Sequence, residues 1–384
     1  MPSWARIVNT TTRKYFKGEE INILRNRKFL ALMQSKGRIT YNHSGESMDW
    51  KVRYRRSPLV GYADGDTLTF ARTNKWKTAN LDWRGYTVQD SMTKFETLQN
   101  RSTEAIVKLY DNVMKILKDD IDDQFGDEFY VDGNAAGNSK RIHGFESCLG
   151  PLVGAPAQTI DRSPTVTNAT EAQTADVADI YAYPSDTYAG LSTILGNYGG
   201  SWTSAVGWPD GTGDAHFDFW TPVLINTDTE AADVGGTANT FPGQGDEILR
   251  LAFLQCQKNK SKTGMLDLVL TDRTWYMALL NILDAKERFI SRPGRNEGSL
   301  AKLGFTDTIN FDGVDITSEY GVPAETAYGL NIDSLELRSM QSQLFVPTGP
   351  DYDVASKSYR FDVDFLGNLV MNPRNMMKAG IYKT

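Results

Sequence analysis

The segment 48–88 constrains the fold of this chain more than any other, because apolar residues occupy every second position on both of its sides. This is the period-two pattern of strands with one apolar face. The sequence between the two sides, SPLVGYADGDTLTF, contains Pro58, Gly61 and Asp64-Gly65, which favour turns at the tip of an extended excursion. The alternating apolar residues are Met48, Trp50, Val52 and Tyr54 on the first side and Ala79, Leu81 and Trp83 on the second.

An isolated two-stranded hairpin is only marginally stable in water, and this one has nothing of its own in the adjacent sequence to pack against. We therefore predict that its apolar face packs on another copy of the chain, which makes the protein a subunit of an assembly. The residues predicted to contact a neighbouring subunit are Trp50, Arg53, Tyr54, Arg55, Trp76, Leu81 and Trp83.

Length and composition fit a globular protein. The 384 residues suffice for two or three domains with ample core. The sequence shows neither a signal peptide nor an apolar run of the roughly 20 residues that span a bilayer, so we expect folding in the cytoplasm and no membrane partner. Cys148 and Cys256 have neither CxxC nor metal-ligand spacing and are predicted to be buried thiols.

Charge is distributed unevenly along the chain. Residues 1–60 contain 13 Lys or Arg against 4 Asp or Glu, whereas residues 151–245 contain 11 acidic residues against the single base Arg162. The basic stretch is suited to contact with nucleic acid or with acidic patches on sister subunits; a solvated face is the alternative. Because no nucleic-acid-binding motif interleaves basic and aromatic residues, we predict no sequence-specific recognition.

Helical periodicity predicts two elements in the first third of the chain. An amphipathic helix from Glu19 to Ser35 belongs to an N-terminal arm that cannot fold alone. A second helix begins at Asp90 as its N-cap, stops before Gly126, and carries one apolar stripe and one charged face. At about 1.5 Å per residue it is roughly 50 Å long, which fits a helix along one side of a sheet. A coiled coil is the alternative.

The middle of the chain combines loops with regular elements. Residues 151–245 are predicted to form an ordered insertion of loops and short strands; an outer-surface position for it comes only from the family resemblance described below. A helix from Asp246, a strand in MLDLVLTD and a second helix capped by Thr271 or Asp272 then imply a sheet covered by helices.

Two turns are predicted near the end of the chain. Asp312-Gly313 indicates a hairpin between two short strands. In YRFDVDFLGNLVM, apolar residues alternate with Asp362 and Asp364, and Gly367-Asn368 then predicts a turn. A strand pair is therefore expected to close the fold.

The order of these elements resembles the major capsid proteins of tailed bacteriophages. Those proteins share a basic N-terminal arm, an extended hairpin, a spine helix, an irregular domain with helix, strand and helix, and a terminal strand pair. Three segments look similar to that family: YVDGNAAGNSKRIHGFESCL, LDLVLTDRTWYMALLNIL and YRFDVDFLGNLVMNPRNMMKAG. The resemblance spans nearly the whole chain and depends mainly on order and spacing.

What the resemblance implies is an α+β chain with the Hong Kong 97-type capsid fold. Subunits of this kind form the hexamers and pentamers of an icosahedral head, and the extended loop lies over the neighbour's peripheral domain. The regions would be an N-terminal arm at 1–43, the extended loop at 44–87, a peripheral domain with the spine helix at 88–130 and 335–384, and an axial domain at 131–334 that includes the acidic insertion at 151–245.

The resemblance also implies partners within a virion. These are further copies of the chain, a separate scaffolding protein, a portal, a decoration protein and packaged double-stranded DNA bound non-specifically. Some relatives cross-link a loop lysine to an asparagine of a neighbour. Lys75 or Lys77 and Asn368 or Asn372 could take those places, but no catalytic acid is identifiable and we expect no cross-link.

Enzymatic functions find little support in the sequence. His43, His143 and His216 share no metal-ligand spacing, and neither GxxxxGK[ST] nor GxSxG occurs. Asp132-Gly133-Asn134 and Asp351-Tyr352-Asp353 could ligate a cation but are typical of turns. We predict no catalytic residue, cofactor or metal site. The alternatives are the shell protein of a bacterial encapsulin-type nanocompartment and, less favoured, a hydrolytic or carbohydrate-binding protein.

Overall fold

The fold is a mixed α+β arrangement built on two sheets. A computed structural model describes residues 27–53, 60–69, 75–99, 103–149, 187–192, 220, 222–226, 245–246, 249–250, 252–253, 256, 266–285, 308–324 and 326–380. The helices are α1 (Lys28–Ser35), α2 (Lys94–Gln99), α3 (Thr103–Glu128), α4 (Glu146–Leu149) and α5 (Arg273–Ala285). The strands are β1 (Ile39–Thr40), β2 (Ser47–Arg53), β3 (Trp76–Asp82), β4 (Arg84–Thr93), β5 (Thr187–Tyr188), β6 (Leu191–Ser192), β7 (Val223–Asn226), β8 (Leu268–Thr271), β9 (Thr308–Phe311), β10 (Val314–Ser318), β11 (Thr326–Leu330), β12 (Leu335–Ser339), β13 (Val346–Asp353), β14 (Ser358–Met371) and β15 (Met377–Gly380).

The long strand β14 organises a five-stranded sheet. β4 pairs antiparallel with it from Ser358 to Gly367, and β13 and then β12 follow its opposite edge. The two-residue β1 adds in parallel to β12. The alternating residues Phe361, Val363 and Phe365 are buried together with the apolar face of α3. The side-chain period of two along β14 therefore directs one face of the sheet onto α3.

A second, six-stranded sheet has the order β7-β15-β11-β8-β10-β9. The apolar face of α5, which includes Trp275 and Leu279, is buried against it in a separate core cluster. The strand predicted in MLDLVLTD, the following helix and the hairpin at Asp312-Gly313 are confirmed as β8, α5 and the β9–β10 turn. Asp272 accepts a hydrogen bond from Thr274 N at 3.2 Å, which confirms it as the cap of α5.

Strand β15 belongs to a different sheet from the other strands of residues 335–380. It pairs with β11 and β7 in the six-stranded sheet, whereas β12, β13 and β14 belong to the five-stranded one. The chain therefore leaves the first sheet after Met371 and ends, within the described residues, in the second.

The helix predicted from Asp90 begins later than expected. Asp90 lies inside β4, where it pairs with Phe361 of β14, and is not an N-cap. Two helices follow in its place, and Phe95 and Leu98 of the first are exposed. Among the described side chains of α3, Val113, Leu117 and Ile121 of the predicted stripe are buried, whereas Ile116 is exposed. The 26 residues of α3 correspond to about 39 Å.

Gly126 does not end the helix, and the reason is a close packing contact. α3 continues to Glu128, and the guanidinium group of Arg27 lies where a side chain at position 126 would be. Arg27 donates to Asp123 O at 2.9 Å and to Tyr320 O at 3.0 Å. The glycine is thus required for the approach of Arg27 rather than for a left-handed terminus.

The turn predicted at Gly367-Asn368 is wrong, because β14 runs straight through both residues. A Cβ atom on Gly367 would collide with the carbonyl oxygen of Arg338 on β12, so glycine permits close strand approach here. Asn368 is fully buried; its Oδ1 accepts from His143 N and its Nδ2 donates to Asp82 O, both at 2.9 Å. These two residues fix neighbouring segments instead of reversing the chain.

The part of the predicted N-terminal arm that is described belongs to the core. Residues 29–33 of α1 are all buried, and β1 extends the five-stranded sheet. The predicted helix start at Glu19 lies outside the described residues. The expectation that this segment cannot fold alone is met by packing within the same chain: Phe29 lies 5.2 Å from Phe129 and 5.1 Å from Phe145, ring centre to ring centre.

Glu319 anchors the start of α1 and makes stability depend on pH. Its Oε2 accepts from Phe29 N at 3.1 Å. Burial raises the pKa of Glu319 from 4.5 to about 7, against the lowering effects of the Phe29 hydrogen bond and of Arg27 and Lys28. A carboxyl group with a raised folded-state pKa contributes stability that is present below its unfolded pKa and is lost as pH rises through the folded one.

We expect Glu319→Gln, which keeps an acceptor for Phe29 N, to remove this dependence. The free energy of unfolding of the wild type minus that of the variant should fall between pH 4.5 and 7 and level off above pH 7. Urea unfolding across that range measures it. A difference that stays constant with pH would contradict the assignment.

The described parts of the predicted surface insertion 151–245 lie in the core. Tyr188, Leu191 and Trp220 are buried in the first core cluster, and β7 is a strand of the six-stranded sheet. The expectation that this region is an outer elaboration is therefore wrong for these residues, and its deletion should disturb the core. Tyr188 and Trp220 have apolar partners to cover, which explains the presence of these two aromatic residues in an otherwise polar stretch.

Both cysteines are buried thiols, as predicted. Cys148 lies on α4, and its Sγ is within 3.8 Å of Met371 Sδ. Burial raises the pKa of the Cys148 thiol, which keeps it protonated and unreactive.

Candidate assembly surfaces

The two-stranded hairpin predicted from the alternating pattern is present, but its apolar face packs on its own chain. β2 and β3 pair antiparallel from Ser47 opposite Asp82 to Arg53 opposite Trp76. The residues of the inward face are buried in the first core cluster, and Leu81 is only 3% exposed. The expectation that this face needs another subunit is thus wrong at the root of the hairpin. The buried residues are Met48, Val52, Ala79 and Leu81.

Trp50 rests on a platform that the sequence did not reveal. Its ring centre lies 6.4 Å from that of Tyr188 and 6.3 Å from that of Trp220, and these two rings stack at 5.9 Å. The Tyr188 hydroxyl donates to Leu369 O at 2.9 Å and accepts from Met371 N at 3.1 Å. The only signal in the sequence is the presence of large aromatics in the acidic region 151–245.

Trp83 is also partly buried against the core of its own chain. Its Nε1 donates to Gly45 O at 3.0 Å, and its ring lies 6.5 Å from that of His43. Substitution of Trp83 would therefore perturb the fold as well as any contact with a neighbour. Contact between subunits through Trp50, Leu81 or Trp83 remains a prediction. These side chains leave little exposed surface for such a contact, because they pack on their own chain.

The outward face of the hairpin keeps candidates that are accessible. Trp76 is 53% exposed, and Lys51 beside it is also exposed. Arg53 takes its place in the ladder opposite Trp76, although its side chain lies outside the described part. Tyr54 and Arg55 lie outside the described residues.

The tip of the hairpin presents apolar side chains to solvent. Asp66 N donates to Ala63 O at 3.1 Å, Asp66 Oδ2 accepts from Ala63 N at 2.7 Å, and Gly65 has φ +89°. The turn predicted at Asp64-Gly65 is confirmed. Three apolar residues around this turn are exposed and are not among the predicted contact residues. Their spacing along an extended segment is the sequence signal that could have identified them. They are Val60, Tyr62 and Leu68.

A second set of exposed apolar residues lies at the far end of the five-stranded sheet. Lys94 N donates to Lys357 O at 3.0 Å, which joins the start of α2 to the β13–β14 turn. Phe95, Leu98 and Val354, next to that junction, are all exposed.

The outer face of the five-stranded sheet is acidic. Asp362 and Asp364 alternate on β14, and Asp351 lies on β13. Burial, followed by repulsion from Asp364 and Asp351, raises the pKa of Asp362. A cationic group placed beside this face would reduce the repulsion among these carboxylates.

A buried ion pair joins α4 to the six-stranded sheet. Lys378 Nζ, on β15, lies 2.6 and 2.8 Å from the two carboxylate oxygens of Glu146, on α4. Tyr328 on β11 donates its hydroxyl to the same carboxylate. Burial raises the pKa of Glu146 and lowers that of Lys378, and each partner counteracts the shift of the other.

No cluster of three or more His, Cys, Asp or Glu side chains that could hold a metal ion occurs among the described residues. Asp132 instead forms a turn, with its Oδ1 accepting from Asn134 N at 2.9 Å. In the same part of the chain, no helix combines the length and the apolar character needed to cross a membrane.

The fold resembles those of capsid proteins. No protein-family model matches the sequence, and no curated protein sequence is similar to it. Among solved structures, the capsid asymmetric unit of cyanophage A-1(L) matches with a TM-score of 0.54 and 13% identity over 90% of each chain. The capsid of a native GTA particle matches with a TM-score of 0.50 and 9% identity, over 92% of this chain and 91% of the other. The resemblance inferred from the order of elements is therefore confirmed at the level of fold: the chain has the α+β fold of phage capsid proteins.

Proposed function

We propose that this chain is the major capsid protein of a tailed bacteriophage, which self-assembles into hexamers and pentamers of an icosahedral head. The observation that carries the proposal is the fold shared with capsid subunits over about nine-tenths of both chains. Exposed apolar residues at the hairpin tip and at the end of the five-stranded sheet support it, because a chain that functions alone gains nothing by leaving them in water.

The predicted regions of a Hong Kong 97-type subunit correspond approximately to the two sheets. We assign the five-stranded sheet with α3 as spine helix to the peripheral domain, and the six-stranded sheet with α5 to the axial domain. The hairpin β2–β3 and its tip form the extended loop. Two adjustments follow from the strand pairing: β1 joins the peripheral domain and β15 joins the axial domain.

The remaining partners are part of the same proposal. The head encloses double-stranded DNA held without sequence specificity, and its assembly uses a scaffolding protein and a portal. The excess of basic residues in 1–60 supports electrostatic contact with either DNA or acidic faces of sister subunits.

Light scattering and negative-stain microscopy of the purified chain test the proposal. Shells or capsomer-sized rings are expected. A 42.8 kDa monomer at every protein concentration, with salt and with crowding agents, would contradict it. Double-stranded DNA inside particles isolated from producing cells would distinguish a phage head from a compartment filled with protein cargo.

Trp76 allows the assembly surface to be changed without touching the core. Because its side chain is half exposed on the outward face of the hairpin, Trp76→Lys should leave the far-ultraviolet circular dichroism and the thermal midpoint unchanged while reducing particle yield. Trp76→Phe, the matched control, keeps an apolar surface and should assemble. Equal yields from both variants would exclude Trp76 from the interface.

A further inference from the structure

Two adjacent crossovers carry the chain from the six-stranded sheet to the five-stranded one and back. Within the described residues they span 331–334, between β11 and β12, and 372–376, between β14 and β15. Asn372 N donates to Ser334 O at 3.0 Å, so the crossovers lie side by side. Two links at one place join the sheets along a single hinge line, and contacts elsewhere must then fix the angle between the sheets.

Apolar packing at the junction holds the sheets together without selecting a direction. The first core cluster contains Leu268 of β8 and Phe361 of β14, and Phe29 of α1 belongs to the same cluster. Burial of apolar surface is non-directional, whereas hydrogen bonds depend on distance and angle. The polar contacts that α1 makes with each sheet are therefore suited to set the angle.

The N-terminal end of α1 is anchored on both sides of the junction. Arg27, which precedes the helix, donates to the carbonyl of Asp123 at 2.9 Å on α3, the helix that packs on the five-stranded sheet. Lys28 Nζ donates to Ser318 O, at the end of β10, at 3.0 Å. The carboxylate of Glu319, the next residue, accepts from the N–H of the second helical residue at 3.1 Å. This end of α1 thus contacts the six-stranded sheet as well.

The C-terminal end of α1 is anchored in the same double way. Lys36 Nζ, one residue beyond the helix, lies 2.9 Å from Asp267 Oδ2, directly before β8. Arg38 Nη2 lies 2.7 Å from Asp333 Oδ1 in the first crossover, and β1 then pairs with β12 of the five-stranded sheet. Both ends of α1 therefore contact both sides of the junction.

The two anchor points on the six-stranded sheet are separated by the length of α1. β8 and β10 are parallel, and Thr271 at the end of β8 pairs with Ser318, so Asp267 and Ser318 lie at opposite ends of this strand pair. Four residues of strand rise about 13 Å, and the eight residues of α1 rise about 12 Å. The helix consequently lies antiparallel to β8 and holds the sheet at two separated points, which restricts rotation.

We propose that residues 27–40 form a bracket that fixes the angle between the two sheets, and that this angle sets the curvature of the assembled shell. The part on curvature rests on the proposed function. A shift of about 3 Å at one end of a lever of about 12 Å is enough to break a hydrogen bond and tilts the lever by about 15°. Because identical copies build a closed assembly through repeated contacts, a tilt within each copy changes the direction in which the next copy is added.

Distances between spin labels on the two sheets test the bracket in the unassembled chain. Labels are attached to Gln89→Cys on β4 and to Asn281→Cys on α5, both at exposed positions; the native cysteines are buried and stay unlabelled. Excess unlabelled chain restricts the measurement to distances within one copy. With the bracket intact, one narrow distance distribution is expected.

Lys28→Met combined with Lys36→Met removes two anchors to the six-stranded sheet and keeps the apolar stems of both side chains. The fold should persist by circular dichroism, while the label distances should widen or shift by more than the width of the wild-type distribution. Lys36→Met alone, at a side chain that is 25% exposed, provides the same test if the double variant does not fold. Wild-type distances in a folded variant would overturn the bracket.

The matched control replaces two exposed lysines outside the bracket, Lys115→Met with Lys140→Met. It changes the net charge by the same amount and should retain the wild-type distances. A change as large as that of the bracket variant would attribute the effect to charge alone and would also overturn the proposal.

Electron microscopy of particles assembled from the same chains separates the bracket from the proposed function. A wider spread of particle diameters for the bracket variant, with the control unchanged, supports the part on curvature. Wild-type diameters together with altered label distances would refute that part and support the bracket. Absence of particles even from the wild type would refute the part on curvature together with the proposed function, and the label distances would still decide the bracket.

Discussion

Lys378→Met is expected to lower the free energy of unfolding by about 3–5 kcal/mol, because it leaves the Glu146 carboxylate buried without its cation. Lys378 is 1% exposed, and its Nζ lies 2.6 and 2.8 Å from the two oxygens of Glu146. Tyr328 supplies the carboxylate with one further donor, a neutral hydroxyl. Chemical denaturation followed by circular dichroism measures the loss.

The double variant Lys378→Met with Glu146→Gln is the control for this prediction. Glutamine still accepts from Tyr328 and carries no charge, so most of the lost stability should return, since replacing a buried ion pair by neutral groups is often nearly neutral. If Lys378→Met alone lowered the free energy of unfolding by less than about 1 kcal/mol, Glu146 would have to become protonated or hydrated at little cost in free energy.

The position of this pair explains why its loss should affect the whole chain. Glu146 lies on α4 among the residues of the first core cluster, whereas Lys378 lies on β15 in the six-stranded sheet. The ion pair therefore ties the six-stranded sheet to α4, and Cys148 of α4 contacts Met371 of the five-stranded sheet. We expect both sheets to lose stability together.

Local periodicity predicted the elements that depend on local chemistry. The β2–β3 pairing, the β9–β10 hairpin and α5 follow from alternation, from Asp312-Gly313 and from the cap at Asp272. In each case residues close in sequence determine the structure. The order of elements then sufficed to predict the capsid fold.

The errors arose where a distant segment determines the role of a residue. The sequence predicts a helix stop at Gly126 and a turn at Gly367, but each glycine makes room for a group more than 25 residues away, Arg27 and the carbonyl of Arg338. The pattern around Trp50 predicts an interface, because its partners Tyr188 and Trp220 are too remote in sequence to be seen in that pattern. Nothing within a short window distinguishes such a residue from an exposed one.

The hairpin expected from the alternating pattern is present, whereas its contact with a neighbouring subunit stays a prediction. One of its faces is occupied by its own chain, so burial leaves Trp76 and the tip as the accessible surface. An alternating pattern identifies an apolar face without identifying what covers it. Only the positions of Tyr188 and Trp220 resolve that question for Trp50.

Asn368→Ala should reduce the free energy of unfolding by about 2–4 kcal/mol, because it removes the side-chain partner of the buried N–H groups of His143 and Leu369 and of the partly buried carbonyl of Asp82. Asn368 Oδ1 accepts from His143 N, and its Nδ2 donates to Asp82 O. The side chain thus connects β14 to the segment before α4 and to the end of β3. Thermal and urea unfolding of the purified variant give the magnitude.

Asn372→Ala is the matched control, since the side-chain oxygen of Asn372 makes no hydrogen bond within the described residues, and it should cost less than about 1 kcal/mol. If Asn368 were an exposed turn residue, Asn368→Ala would lower the free energy of unfolding as little as the control does, because water would replace the hydrogen bonds of an exposed amide. Equal losses from the two substitutions would therefore favour the turn, and a large loss from Asn368→Ala alone would establish the buried anchor. The same burial keeps the Asn368 amide out of reach of a lysine on a neighbouring subunit, which argues against its use in a cross-link.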